Sequence, residues 1–278
     1  MNILCNGNAA NAKEEISFFQ SFRDVDLEIF KTRRSFVEKL DLLAGRKDKI
    51  IVMGGDGTVS LAVQKLAGTE TALGIIPAGR GNDFSQFLGI PGDALEAFWL
   101  AQEGSRTKVS LGGIDRRYFC NSFGIGFDAY VVGLVQRYNK RSYKLTALKN
   151  IFKFEGFKAS ISAKLRDGSD LNISENILMV VFANGMTEGG GVHISHKEPE
   201  DQYLSMTVVY DLIGLKRLLT LPFFFTFSFD KPKAVESYKV RSADIQVSKN
   251  VRKQLDGDVF YGDVEKAVVH PKAVTVLT

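Results

Sequence analysis

The chain has 278 residues, 24 % of them charged and 45 % hydrophobic, with a formal net charge of +4. That length suffices for one large domain or two ordinary ones with real apolar cores, and the composition excludes a disordered chain. The charge is mild: it suits an anionic membrane surface or a phosphorylated substrate without demanding nucleic acid. The two cysteines, Cys5 and Cys120, each sit in an apolar run and read as buried free thiols of a reducing compartment. The apolar stretch in the N-terminal "MNILCNGNAANAKEE" is too short for a signal peptide, so the expectation is a cytoplasmic protein.

The first hundred residues alternate strand and helix. "NILCN" (2–6) reads as a buried strand and "AKEEISFFQSF" (12–22) as an amphipathic helix. "DLEIF" (26–30) is a strand, "SFVEKLDLL" (35–43) a helix and "KIIVM" (49–53) a strand. "TVSLAVQKL" (58–66) starts a third helix, "ALGIIP" (72–77) is another buried strand, and "GDALEAFWLAQ" (92–102) another helix. This alternation predicts a parallel sheet covered by helices, with ligands beyond the carboxyl ends of its strands.

After about residue 105 the pattern changes to strand-like runs separated by turns: 158–166, 176–185, 204–210, 235–240, 243–248 and 273–277, with helices only near 129–153 and 213–220. An antiparallel sandwich or barrel follows from that pattern. The expected division is an α/β domain over 1–110 and an all-β domain over 111–278, cut near Gly112–Gly113. The most lipid-like stretch, "LIGLKRLLTLPFFFTFSF" (212–229), holds Lys216, Arg217 and Pro222, which argues against a spanning helix. Its phenylalanines read as core, with a membrane-contacting patch as the alternative.

Two glycine loops at strand ends carry the chemistry. In "IIVMGGDGTVS" (50–60), Gly54, Gly55 and Gly57 surround Asp56, and Thr58 adds a hydroxyl. Such a loop leading into a helix offers backbone N–H groups and the positive end of the helix dipole to a phosphate. Asp56 would repel phosphate, so its reading is a holder of Mg²⁺, directly or through water; the bland alternative is an Asx turn. "GIIPAGRGNDFSQFLGIP" (74–91) supplies the second loop and a second acid, Asp83. "QLDGDVF" (254–260) sets Asp256 and Asp258 around a glycine.

"GGDGTVSLAV", "GIIPAGRGNDFSQFLGIP", "NSFGIGFDAYV", "ANGMTEGGG" and "QLDGDVF" together resemble the diacylglycerol kinase catalytic-domain family, which includes the sphingosine kinases. GGDGT alone is shared with NAD kinases. The resemblance implies a nucleotide-binding α/β domain followed by a β-sandwich, an active site between them, and ATP- and Mg²⁺-dependent phosphorylation of a lipid hydroxyl. The acceptor would be a diacylglycerol-like or long-chain-base lipid met at a membrane surface, the protein staying cytoplasmic or peripheral. By the same carry-over Gly55, Asp56, Gly57, Thr58, Val59, Ser60 and Leu61 line the nucleotide site, with Thr32 and the first loop's Asn6 beside it. Asp56 and Asp83 join a carboxylate–water network around Mg²⁺. Asp201, with carbonyls of Glu198 and Tyr203, forms a structural Mg²⁺ position. Asp258 is the general base and Asp256 its network partner.

Departures from the family pattern are equally legible. The first loop is "NGNAA" (6–10) instead of N-P-x-S-G. Arg80 replaces a threonine and would either pair with a phosphate or fill the nucleotide pocket. Leu61 replaces an acid, "EDQY" (200–203) replaces D-D-G, and Asp258 replaces a glutamate. These keep two alternatives in view: a catalytically altered nucleotide- or lipid-binding protein, and an NAD-kinase-like phosphotransferase. Asp128, in "GIGFDA" (124–129), reads as a contact to the substrate head or as a helix cap. The basic stretch "RYNKRSYK" (137–144) with Lys149 and Lys153 reads as a solvated helix face, or as a docking surface for anionic headgroups. His193, His196 and His270 lack a third ligand at zinc spacing. No nucleic-acid module accompanies the charge, and the sequence leaves a homodimer open.

Overall fold

The computed structural model describes residues 2–22, 25–138, 143–188, 192–193, 195, 201–212, 214, 216–217 and 234–278. The chain forms two compact units. The first runs through Leu111, resumes at His270–Thr278 and also takes Asp201; the second holds Gly112 onward to Val269 apart from such returns. The sequence reading drew one cut near residue 110, whereas the last strand comes back to the first unit because its end pairs with a strand there.

In the first unit β1 (Asn2–Asn6), α1 (Ala12–Gln20), β2 (Asp26–Phe30), α2 (Arg33–Leu43), β3 (Lys49–Gly54), α3 (Asp56–Leu66) and β4 (Ala72–Pro77) alternate as expected. They are followed by α4 (Asp83–Phe87) and α5 (Ala94–Glu103). The strands pair in parallel in the order β2–β1–β3–β4. Every residue of β4 and all but the first of β3 are buried, which is why both read as continuous apolar runs instead of alternating ones. Ile3, Cys5, Ile51, Met53 and Ile76 pack against Phe19 of α1 and Phe98 of α5. Cys5 and Cys120 are both buried, and among the described residues neither forms a disulfide.

β5 (Arg106–Ile114) carries the chain from one unit to the other, pairing with β6 (Arg117–Phe119). β7 (Ser122–Gly126) leads into α6 (Phe127–Arg137), then α7 (Tyr143–Asn150), β8 (Phe157–Leu165) and β9 (Asp170–Ala183). A two-residue ladder joins β10 (Thr187–Glu188) to β11 (Val192–His193). β12 (Leu204–Tyr210), β13 (Val235–Val247), β14 (Lys253–Leu255), β15 (Asp258–Phe260) and β16 (Lys266–Leu277) complete the chain. The antiparallel pairs β8–β9, β9–β12, β12–β13 and β13–β8 close a circuit. Its core holds Phe119, Phe123, Ile161, Ile177, Phe182, Met206 and Ile245. β16 pairs by its first residues with β13 and by Thr275 and Val276 with β4.

Several expected elements differ. The helices expected near 129–153 are α6 and α7, whereas the runs 235–240 and 243–248 are one strand whose pairing shifts register between Val240 and Ser242. α3 starts two residues earlier than the apolar pattern suggests, because Gly55 in extended conformation acts as its N-cap and Asp56 and Gly57 enter the first turn. The phenylalanine run of 212–229 and most of the helix expected at 213–220 lie outside the described residues.

Candidate functional site

The carboxyl ends of β3 and β4 bring the two glycine loops into contact. Ala78 donates its N–H to the Gly54 carbonyl at 2.9 Å, continuing the β3–β4 ladder into the loops. A Cβ on Gly55 would lie 2.9 Å from the Gly79 Cα, and one on Gly79 only 2.5 Å from the Gly55 Cα. A Cβ on Gly54 would meet Thr58 Oγ1 at 2.5 Å, while at Gly57 the space is open. Three glycines of one tetrapeptide thus answer to different needs, and two of them let the loops and the helix close on one another.

Asp56 links the loops by its side chain. Its Oδ2 accepts the Asn82 N–H at 2.7 Å and its Oδ1 the Phe84 N–H at 3.4 Å, at the start of α4. Asn82 takes up the left-handed conformation (φ 54°), and its side chain clasps Gly79 through the N–H at 2.9 Å and the carbonyl at 3.2 Å. Burial pushes the Asp56 carboxyl above the usual range, the Asp83 charge adds to this, and the N–H groups of Phe84, Asn82 and Asp83 pull it back. Asp83 itself is buried. Asn6, at the end of β1, donates to Thr58 Oγ1 at 2.8 Å and accepts from Asn8 N–H at 3.0 Å.

Of the remaining nucleotide-site candidates, Val59 is buried, Ser60 and Leu61 are half-buried, and Arg80 is exposed to solvent. Thr32 is exposed and caps α2, its Oγ1 accepting the Ser35 N–H at 3.2 Å.

The second unit gathers its own polar cluster. Asp256 and Gly257 have φ of 45° and 89° and join Leu255 to Asp258 in register, a two-residue Asp-Gly hairpin loop. The Asp256 carboxylate accepts the N–H groups of Cys120, Asn121 and Ser122 at 2.8, 2.8 and 3.1 Å, tying the hairpin to the start of β7. Gln254 accepts the Gly257 N–H at 2.8 Å and donates to Ser122 Oγ at 2.9 Å and Asp128 Oδ2 at 3.0 Å. Gln136, near the end of α6, donates to the Gly257 carbonyl at 2.6 Å. Asp258 is exposed on β15. Among the described residues the buried Asn121 Oδ1 has no hydrogen-bond partner, a polar atom left over beside this cluster.

Asp128 does not cap α6: Tyr143 Oη donates to its Oδ1 at 2.8 Å, and Gln254 holds the other oxygen. Burial raises its carboxyl, against those two hydrogen bonds. Gly124 has no room for a Cβ beside this carboxylate, and its strand β7 is paired antiparallel on both sides. Tyr203 is buried with Arg166 and Lys239 over its ring at 5.0 and 4.9 Å. Of the expected structural metal set, Glu198 lies outside the described residues, as does His196; Asp201 falls in the first unit and Tyr203 in the second. Among the described residues no three His, Cys, Asp or Glu side chains are gathered to hold an ion. The Asp83 charge raises the Asp56 carboxyl, a repulsion between two carboxylates of the kind a divalent cation would relieve.

The model of the diacylglycerol kinase catalytic domain matches residues 5–114, and that of the YegS C-terminal NAD kinase beta sandwich-like domain matches residues 121–278. The chain belongs to the diacylglycerol kinase family, a family of kinases. A Mycobacterium tuberculosis protein named diacylglycerol kinase is 27 % identical over 222 residues, covering 76 % of this chain and 70 % of its own. A solved structure from Bacillus anthracis str. Sterne superposes with a TM-score of 0.79 at 22 % identity, over 99 % of this chain and 96 % of that one. Another from the same organism, described as a diacylglycerol kinase, gives 0.74 at 21 % identity over 99 % and 95 %. At those identities the superpositions establish the fold. No helix among the described residues is long and apolar enough to cross a membrane.

Proposed function

We propose that the protein transfers the γ-phosphoryl group of ATP, with Mg²⁺, to a hydroxyl of a diacylglycerol-like or long-chain-base lipid at a membrane surface. The observation that carries this reading is the double glycine loop at the ends of β3 and β4, locked by the Asp56–Asn82 hydrogen bond and opening at Gly57 onto the N-terminus of α3. Backbone N–H groups in such a turn suit a phosphate chain. Residues 1–110 would serve the nucleotide and 111–278 the lipid.

Phosphoryl transfer needs positioning and charge neutralisation more than covalent help. Gly55 to Leu61 orient the phosphates against the start of α3, and exposed Arg80 offers a guanidinium to them. Asp56 and Asp83 would hold the cation, which when bound offsets the charge of phosphates and acids together. Asp258 accepts the proton of the attacking hydroxyl, and Asp256 holds the hairpin that presents it. The exposure of Asp258 and its short side chain favour a second reading, a nucleotide- and lipid-binding protein with altered catalysis.

The test is transfer of radiolabelled γ-phosphate from ATP to a panel of diacylglycerols and long-chain bases in mixed micelles, with NAD as a competing acceptor. Labelled lipid is the expected result. Label on NAD in preference to every lipid contradicts it, and nucleotide binding without transfer to any acceptor selects the second reading.

A further inference from the structure

α7 and the turn after it divide cleanly into two faces. Thr146, Ala147, Asn150 and Ile151 are buried: Ala147 and Ile151 cluster with Phe127 and Val131 of α6, and Asn150 donates to the Thr146 carbonyl at 2.8 Å. Leu145, Leu148, Lys149, Phe152 and Lys153 point to solvent, and the three apolar ones are 55 %, 38 % and 52 % exposed. Their spacing of three and four residues puts them on one stripe. Scattered exposed apolar residues need no explanation, but an aligned leucine–leucine–phenylalanine stripe flanked by cations does.

The face is held firmly. Tyr143, at the start of α7, is bonded to buried Asp128. Beyond its end Arg217 donates to the Ile151 carbonyl at 2.9 Å and the Phe154 carbonyl at 2.5 Å, and pairs with Asp211 at 2.7 Å. α6, on which α7 packs, reaches the Asp256–Gly257 hairpin through Gln136. The stripe and the hairpin that carries Asp258 thus both lean on α6.

Segment 143–155 carries Lys144, Lys149 and Lys153 against a single acid, Glu155. Apolar side chains between lysines match a bilayer boundary, where rings and leucines enter the acyl region and ammonium groups stay among headgroups. A second copy of the chain fits less well, because a two-fold contact would set these lysines against their own counterparts. We propose that the exposed face of α7 and of the turn after it, through Leu145, Leu148 and Phe152 with Lys149 and Lys153, docks the protein on an anionic lipid bilayer. It deepens the lipid-kinase reading, which supplies the reason for docking.

The experiment is flotation of the full chain with phosphatidylcholine vesicles, with and without phosphatidylglycerol. The parent floats with the anionic vesicles only. Leu148→Glu/Phe152→Glu loses about tenfold or more in partitioning, and Lys149→Glu/Lys153→Glu loses about fivefold per lysine, in a salt-dependent manner. Trp99→Glu, an exposed apolar position on α5, floats like the parent. Should the leucine–phenylalanine variant fail to fold, the lysine variant carries the test. In parallel, phosphorylation of a dispersed short-chain diacylglycerol, which needs no bilayer, is retained in both variants. Variants that float like the parent overturn the proposal, as does a parent dimer that Phe152→Glu converts to monomer by light scattering. A parent that floats but phosphorylates no dispersed acceptor upholds docking and contradicts the kinase reading instead.

Discussion

The Asp56 carboxylate accepts the backbone N–H of Asn82 at 2.7 Å across 26 residues of chain, so the acid of the first glycine loop fixes the shape of the second. Asp56→Ala strips acceptors from Asn82 and Phe84. The unfolding free energy in urea should fall by about 1–2 kcal/mol, and Mg-ATP binding by calorimetry should be lost with it. Undiminished stability would show that the bond contributes nothing to the loops.

The Asp56 carboxyl is raised in the folded protein, first by burial and then by Asp83. A raised folded value means the native state holds its proton longer than the unfolded chain does. This contribution to stability therefore falls as pH climbs from the ordinary carboxylate range through the raised folded value, and is level above it. Asp83→Asn removes the like charge, so that decline should be smaller in the variant. Denaturant unfolding from pH 4 to 7 on both proteins, a window set by ordinary carboxylate values of about 4, checks it. An identical pH profile would mean the two acids do not interact.

Gly54 and Gly57 should respond oppositely to alanine. At Gly54 a Cβ meets Thr58 Oγ1 at 2.5 Å, so Gly54→Ala should cost about 1–3 kcal/mol of stability. At Gly57 nothing among the described residues lies within 4 Å, and alanine favours a helix, so stability should hold or rise by up to about 1 kcal/mol. Mg-ATP affinity should nevertheless drop in Gly57→Ala, because in the proposed function the nucleotide phosphates would occupy that space. Thermal melts and calorimetry on the two variants separate these effects.

Asp256 is spent on three backbone N–H groups and a positive φ. Asp256→Ala loses acceptors and turn preference together, and should destabilise by about 2–4 kcal/mol. Asp256→Asn, which tolerates the same conformation and keeps one carbonyl oxygen, should recover about half of that. Equal losses in the two variants would show that the charge alone matters.

Much of this architecture is legible in the sequence. The apolar runs of β3 and β4, each ending in glycine, located the paired loops because a buried parallel strand leaves no room for alternation. The reason for each glycine was not readable, since Gly55 and Gly79 serve one another across 24 residues and no local rule reports that approach. Asp-Gly between Leu255 and Asp258 is a strong two-residue hairpin signal that a purely catalytic reading of "QLDGDVF" passes over. The long strand β9 was seen only from Asn176 on, because its first half, Asp170–Glu175, is polar and mostly exposed. Likewise the cap expected of Asp128 depended on a tyrosine fifteen residues away being elsewhere; Tyr143 lies against it.

The most direct measurement is the rate of γ-phosphate transfer to lipid in Asp258→Asn beside the parent, with Mg-ATP affinity measured on the same preparations. Asp258 is exposed, so the variant should fold with a stability change within about 0.5 kcal/mol. It should bind nucleotide as the parent does while turning over at least about a hundredfold more slowly. Full turnover in Asp258→Asn would contradict the assignment of the base and, with it, the catalytic account of the second unit.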